Sequence, residues 1–522
     1  MILLLKRHLR SVPCVLTALL ATASAEIQNS GHTYANPVIA GDFPDPTVVR
    51  VGDTYYAAGT SCDFAPNYPL YQSPDLVNWT RIGSVFNEPP AWTADDFWAP
   101  ELYYRDGTFF VYYTAKRKDN RIACIGVATT KDIRKGFTDH GIIIEWGEEA
   151  IDAFVFRDDD GKTYITWKAY GLTKGRDIEI LASELSDDGL KRVGEHFTLT
   201  DHAKGWRGAG DEGQVLVKRN GWYYLIYSVG GCCDNQCDYR VVVARSKDLR
   251  SGWEQLPEPI LEGGGKWRCS GHGTLVTTPD HHDYYLYHAY NEKDFEFVGR
   301  QGCLDELVWN KETGWPSLWS GRNPSPVAYS PLNTVQERKS VFEDDFSTAR
   351  SLPFFEWDLN VPKPGLDVRG GALRFTPTHK AVNFAGLRPE TGDYELTAGL
   401  SLTDTAGGIG IYATQRDLLA LVADRSELVL FRIDEGRREL ISKTPLSGRD
   451  SVFLKYDALK GRDFQFHWSE NGTDWKPVGE GRIDGTFLAQ WGFSPRVGFI
   501  VDGAKPGSAG FSELKVHYKF DD

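Results

Sequence analysis

One motif recurs five times along the first 325 residues. An apolar run leads into a tight Gly/Asp/Asn turn, a Tyr-rich run follows, and a third run ends in a polar turn. The copies centre on residues 46–56, 102–113, 153–167, 214–227 and 274–287. Their turns include Gly52-Asp53, Asp106-Gly107 and Asn220-Gly221. Asn-Gly and Asp-Gly between β-rich runs favour two-residue hairpins, because those turns need positive φ. No helical 3.6-residue period runs through these segments. Antiparallel units repeating every 50–60 residues or so are the mark of a β-propeller, here of five blades. Radial closure also hides most strand edges.

The repeat stops near residue 325. Asn323, Pro324, Pro326, Pro331 and Asn333 predict a linker over 326–340. Short strand candidates with turns such as Asn471-Gly472 fill 341–522 at sandwich-like spacing. The expected fold class is all-β: a five-bladed β-propeller over 33–325 followed by a β-sandwich. Ahead of both, Lys6, Arg7 and Arg10 precede an apolar run over 11–20 and Ala23-Ser24-Ala25. This pattern predicts a signal peptide over 1–25 and a secreted or periplasmic protein. Later apolar runs are too short to span a bilayer. A net charge of −14 argues against nucleic acid as a partner. Oligomeric state is not legible.

Seven cysteines follow the leader: Cys62, Cys124, Cys232, Cys233, Cys237, Cys269 and Cys303. The odd count leaves at least one thiol unpaired within a single chain. The Cys232-Cys233-x-x-x-Cys237 segment is read as a disulfide-stapled loop, with free thiols or a metal site as alternatives. Its spacing does not match a zinc finger.

The residues placed just before the five first strands are Asp45, Glu101, Asp152, Glu212 and His272, at intervals of 56, 51, 60 and 60. The innermost strand of a propeller blade starts near the axis, so these positions should converge on one funnel. Four carboxylates and a histidine gathered there cost repulsion and desolvation that fold stability does not require. Paired carboxylates facing a pocket suit glycoside hydrolysis: one is protonated to assist the leaving oxygen, the other ionised to activate water or attack the sugar. A third carboxylate can hold the acid protonated. Phe43, Phe64, Trp98, Trp146 and Trp167 lie near blade starts and are candidates for stacking on sugar.

Over residues 35–325 the chain resembles glycoside hydrolase family 43. The resemblance rests on Asn36-Pro37-Val38, Asp42-Phe43-Pro44-Asp45-Pro46, Trp98-Ala99-Pro100-Glu101, Ile151-Asp152, Glu212-Gly213, Gly271-His272-Gly273 and Gly299-Arg300, one set per blade. It implies Asp45 as general base, with Asp42 a competing carboxylate, Glu212 as general acid and Asp152 as modulator of the acid. It also implies Arg300 as a sugar ligand; Trp98, Phe64, Glu101 and His272 are further candidates around the sugar, His272 alternatively holding water or a metal ion at the axis or serving as a core histidine. Gln214 and Ala153 stand where the family commonly has Pro, which bears on subfamily and substrate rather than on the reaction. The C-terminal region resembles the concanavalin-like sandwich appended to relatives acting on xylosides and arabinosides.

The expected function is an exported, exo-acting, inverting β-xylosidase or α-L-arabinofuranosidase acting on an oligo- or polysaccharide. The alternatives are an endo-arabinanase, a galactosidase of the same fold, or a non-catalytic sugar-binding protein. No cofactor is required by this chemistry. Asp344 and Asp345 with Asp502 are the acids that could hold a structural calcium.

Overall fold

The computed structural model describes residues 31–200, 211–446 and 448–520. The segment expected to be a signal peptide lies outside the described residues. Five four-stranded antiparallel sheets form the propeller, each from one continuous stretch. Their innermost strands are Thr47–Val51, Trp98–Arg105, Ala150–Arg157, Glu212–Arg219 and Trp267–Thr277. Among the described residues, no strand is exchanged between the first and last blades. The N-terminal segment closes the ring instead: Asn36 exchanges hydrogen bonds with the backbone of Leu304, and Ile39 N donates to the Gly302 carbonyl at 3.1 Å. Blade-to-blade packing is apolar and Tyr-rich, as in the cluster of Ile226, Val243, Tyr285, Tyr287 and Cys303.

The segment expected to be a linker is partly built into the propeller. Val327–Tyr329 pairs with Thr33–Ala35, and the Gln336 amide exchanges hydrogen bonds with Ala35. Beyond it, an eight-stranded and a six-stranded antiparallel sheet pack face to face as a sandwich. Their shared core includes Leu396, Ile409, Leu421, Leu454, Phe499 and Phe511. Alternation of buried and exposed residues along strands such as Ser451–Leu459 supplies that inner face.

The sandwich is keyed into the propeller. Trp357–Asp358 pairs with Phe64–Ala65. At the joint the fully buried Glu356 carboxylate takes Arg496 Nε at 2.7 Å, Arg388 Nε at 2.8 Å and Arg81 Nη2 at 3.1 Å. Those guanidiniums outweigh the burial that would raise it and hold the Glu356 carboxyl at about 2.

Two cysteine pairs staple the fourth-blade loop: Cys232–Cys233 and Cys237–Cys269. Cys62, Cys124 and Cys303 are free and buried. Asp502 pairs with Arg438 at 2.8 Å, while Asp344 and Asp345 cap a turn through Phe346 N and Ser347 N. Among the described residues, the carboxylates gathered within 4.8 Å of one another are Asp63, Asp95 and Asp96. Arg121 and Lys116 each sit 2.5 Å from Asp95 and Asp96 respectively, so much of that charge is already met.

Candidate active site

Four of the five inner strands break register near the axis, blade two at Ala99 and the other three at candidate site residues. Asp152-Ala153 falls between the pairs Ile151–Lys168 and Phe154–Thr166, Gly213-Gln214 between Glu212–Ser228 and Val215–Ile226, and His272 between Gly271–His288 and Gly273–Tyr287. A bulge turns a side chain out of the ladder, here toward the funnel. Asp45, Asp152, Gly213 and His272 all have positive φ, between 41° and 58°. For the non-glycine members that conformation costs of order 1–3 kcal/mol each, a pattern typical of functional sites. Gly213 has a second reason to be glycine, because a Cβ there would lie 2.6 Å from His272 Cγ.

Asp45 is a fixed anion. Arg300 Nη1 donates to Oδ1 at 2.9 Å, and Thr60 Oγ1 donates to Oδ2 at 2.6 Å. His272 Nδ1 lies 3.5 Å from Oδ1. Burial would raise its pKa, but Arg300 foremost holds the carboxyl far below the usual aspartate range. His288 Nδ1 accepts the Asp45 N–H at 3.0 Å, and burial lowers this ring to about 4. His288 is therefore neutral near pH 7 and fixes the backbone of Asp45. Asp42, the competing carboxylate, faces the sandwich, where it accepts from Ser494 N and Arg496 Nη1.

Glu212 is held by two donors: Lys168 Nζ at 2.7 Å, from a strand of blade three, and Tyr239 OH at 2.9 Å, from the loop ahead of the third strand of blade four. Asp152 Oδ2 accepts Gly213 N–H at 3.1 Å and lies 3.7 Å from His272 Nδ1. Burial raises the Asp152 carboxyl to about 7, with the Glu212 charge adding to it and His272 opposing. Burial also opposes ionisation of Glu212, but Lys168, then His272 and Tyr239, outweigh it and lower its pKa. Lys168 reaches Glu212 from the neighbouring blade, a contact that no local sequence pattern signals. Gln214 also finds an explanation: its amide donates to the Asp152 carbonyl and, at 3.1 Å, to Thr166 Oγ1, tying blades three and four as proline could not.

Several expected neighbours lie elsewhere. Glu101 sits in regular strand opposite Tyr112, not at a bulge, so it points between blades. It is buried, accepts Thr47 Oγ1 at 2.8 Å, and is pushed up to about 8 by burial. It is a neutral internal strut rather than a sugar ligand. Phe64 is 1% exposed and packs against Phe493, Tyr412 and the Arg496 guanidinium in the domain joint, so it has no face left for sugar. Phe43 and Trp167 are core. Trp146 packs edge-on against Trp167 and His196. Arg300 is also buried: its second nitrogen, Nη2, donates to the Gly492 carbonyl of the sandwich at 2.9 Å.

Trp98 lies half-buried at the rim, with Lys116 Nζ 5.1 Å from its ring centre. Trp491, 60% exposed, comes from the sandwich to meet it edge-on at 6.4 Å. Neighbouring Gly492 donates its N–H to the Cys233 carbonyl at 3.3 Å. The second domain thus supplies one side of the funnel mouth. Trp491, Lys168, Tyr239, His288 and Thr60 escaped sequence reasoning, since none lies in a blade-start motif.

A fixed carboxylate anion facing a protonatable carboxyl pair, under an aromatic rim, can activate water on one side of a glycosidic bond and protonate the leaving oxygen on the other. The family model for glycosyl hydrolases family 43 matches residues 34–316, more than half of the chain. A xylan 1,3-beta-xylosidase of a Vibrio species is 27% identical over 543 residues, spanning 94% of this chain and 98% of the relative. The extracellular exo-alpha-(1->5)-L-arabinofuranosidase ArbA of Cellvibrio japonicus is 28% identical over 311 residues, 53% of this chain and 86% of the relative. Among solved structures, the GH43 protein BlXynB of Bacillus licheniformis shares the fold with a TM-score of 0.81 at 23% identity, covering 94% of this chain and all of that one. The chain belongs to glycosyl hydrolases family 43 and is a glycosidase that hydrolyses O-glycosyl bonds.

Proposed function

We propose that this glycosidase is exported, acts from a chain end, and inverts the anomeric centre while releasing a pentose from a β-xyloside or an α-L-arabinofuranoside. The observation that carries the mechanism is the unequal anchoring of its carboxylates. Asp45 is locked as an anion by Arg300 and Thr60. Glu212 is held by Lys168 and Tyr239, whereas Asp152 accepts only the Gly213 N–H among the described residues and is raised by burial. In this reading Asp45 takes a proton from the attacking water, Glu212 gives one to the departing oxygen, and Asp152 modulates the pKa of Glu212 electrostatically. Exo action is supported by Trp491, which meets Trp98 and narrows one side of the mouth. The substrate class is supported by relatives named as xylosidases and arabinosidases. Export is supported by the apolar run at 11–20 ahead of Ala23-Ser24-Ala25.

A panel of nitrophenyl β-xyloside, α-L-arabinofuranoside and β-galactoside tests the substrate class. NMR of the first-formed sugar tests the stereochemistry. Inversion requires the two carboxyls to stand roughly 6.5–9.5 Å apart with water between them. Cleavage of a β-xyloside should then release α-xylose first. A burst of β-xylose would overturn the inverting assignment.

A further inference from the structure

Lys168 is a buried cation outside every blade-start motif, and its neighbours give it a specific task. It lies on the second strand of blade three, Thr163–Ala169, facing the first strand of blade four. Two rungs join these strands: Thr166 meets Gln214, and two residues on Lys168 meets Glu212. The period of two places both side chains on one face. Trp167, between them, points into the core.

The ammonium is shared. Its Nζ lies 2.7 Å from Glu212 Oε2 and 3.3 Å from Glu149 Oε1. Glu149 is itself buried, just ahead of the inner strand of blade three. Its backbone carbonyl accepts Tyr170 N–H at 3.2 Å. Its carboxylate occupies room left by Gly171, where a Cβ would stand 1.9 Å from Oε1. Any side chain at 171 would evict Glu149. The fold therefore keeps a second, competing anion beside the lysine that reaches the acid. A strut would need only one partner. A buried cation placed between two carboxylates gives each a part of its field, and losing one carboxylate hands more of it to the other.

We propose that Lys168 is a positioning residue that sets the pH above which the enzyme loses its general acid, and that Glu149 is the counterweight limiting its pull on Glu212. This rests on the reading of Glu212 as the acid. Among the described residues, the titratable and charged groups facing Glu212 are Lys168 from blade three, Tyr239 and Asp152 from blades four and three, and His272 from blade five. Those facing Lys168 are Glu212, Glu149 and Asp152. Lys168 never serves as the acid itself, because its surrounding carboxylates raise its pKa still further. Its role is electrostatic and geometric: the cation favours the ionised form of Glu212 and aims Oε2, while Tyr239 aims Oε1.

The acid works only while protonated, so its loss makes the alkaline limb of the rate profile. Lys168→Met removes the cation, and Glu212 should keep its proton to higher pH. Glu149→Gln removes the competitor, and Glu212 should lose its proton at lower pH. An opposite charge at this range is worth roughly 1–3 pH units when fully removed. Lys168→Arg keeps the charge and should hold the limb close to its original place.

The test is kcat/KM against pH for the full-length enzyme and these three variants, on xylobiose or arabinobiose, whichever is cleaved faster. The alkaline limb is expected to rise in Lys168→Met and fall in Glu149→Gln. Melting temperatures show whether each variant is folded, and the opposed directions protect the result, since damaged packing would not move the two limbs apart. Limbs that stay in place, or move together, in folded variants overturn the proposal while leaving Glu212 as the acid. If Glu212→Ala cuts dinitrophenyl glycoside and disaccharide cleavage equally, Glu212 is not the acid, and the underlying reading falls together with the proposal.

Discussion

Arg300 Nη1 stands 2.9 Å from Asp45 Oδ1, with the arginine's other nitrogen bound to the sandwich backbone at Gly492. The charge of the base and the seating of the second domain therefore pass through one side chain. Arg300→Met removes the cation that does most to keep Asp45 ionised, so the Asp45 carboxyl should rise. A base works while ionised, so the acid limb of kcat/KM should move to higher pH, by roughly 1–3 units. Arg300→Lys should recover part of that shift but not the second bond. An acid limb unmoved in Arg300→Met would remove Arg300 from the control of the base.

The Glu356 joint predicts a stability effect with its own pH dependence. Glu356→Gln leaves Arg388 and Arg496 buried without their anion, which typically costs about 3–5 kcal/mol. In the parent the carboxyl sits at about 2, against an ordinary value near 4.3 when unfolded. A depressed acid stabilises above its unfolded value and loses that contribution as pH falls through the folded one. The melting temperatures of parent and variant should therefore be furthest apart near neutral pH and converge from about pH 4.5 to 2. A constant gap would mean that shape, not charge, holds the joint.

Glu101 predicts the opposite slope. It is held at about 8 by burial, so the folded state keeps a proton that the unfolded chain releases near 4.3. That proton is a growing cost to folding between about pH 4.5 and 8. Glu101→Gln can still meet Thr47 Oγ1 and Val155 N while removing the titration. Relative to the parent, the variant should gain stability as pH rises across that window and keep most of its activity. A parallel pair of stability curves would make Glu101 an anion in the folded protein rather than a neutral strut.

The parts of the site legible in the sequence were those tied to the repeat. Asp45, Asp152, Glu212 and His272 sit at blade starts, where turn chemistry and period announce them. The equivalence of all five positions was not legible, because it depends on bulges. In blade two the register break falls at Ala99, so Glu101 pairs regularly and points between blades, and in blade four the positive-φ position is Gly213 rather than Glu212. Lys168 comes from a second strand and Tyr239 from the loop just ahead of a third, positions whose neighbours are fixed only when blades pack. Phe64, expected at the sugar, lies in the domain joint, and Trp491, which no motif singles out, stands against Trp98. A phenylalanine beside an arginine 432 positions away in sequence cannot be paired from local pattern.

The central claim is the division of labour between Asp45 and Glu212, and leaving-group dependence tests it most directly. A general acid matters in proportion to how poorly the leaving group departs alone. Glu212→Ala should nearly abolish cleavage of xylo-oligosaccharides but spare much of the rate on a dinitrophenyl glycoside, whose phenolate needs no proton. Asp45→Ala removes activation of water, which both substrates require, and should lower both rates alike by roughly 10²–10⁴. Misfolding would lower all four rates together. The ratio of the two rates should change greatly in Glu212→Ala and hardly at all in Asp45→Ala. The same ratio in both variants would contradict the division of labour.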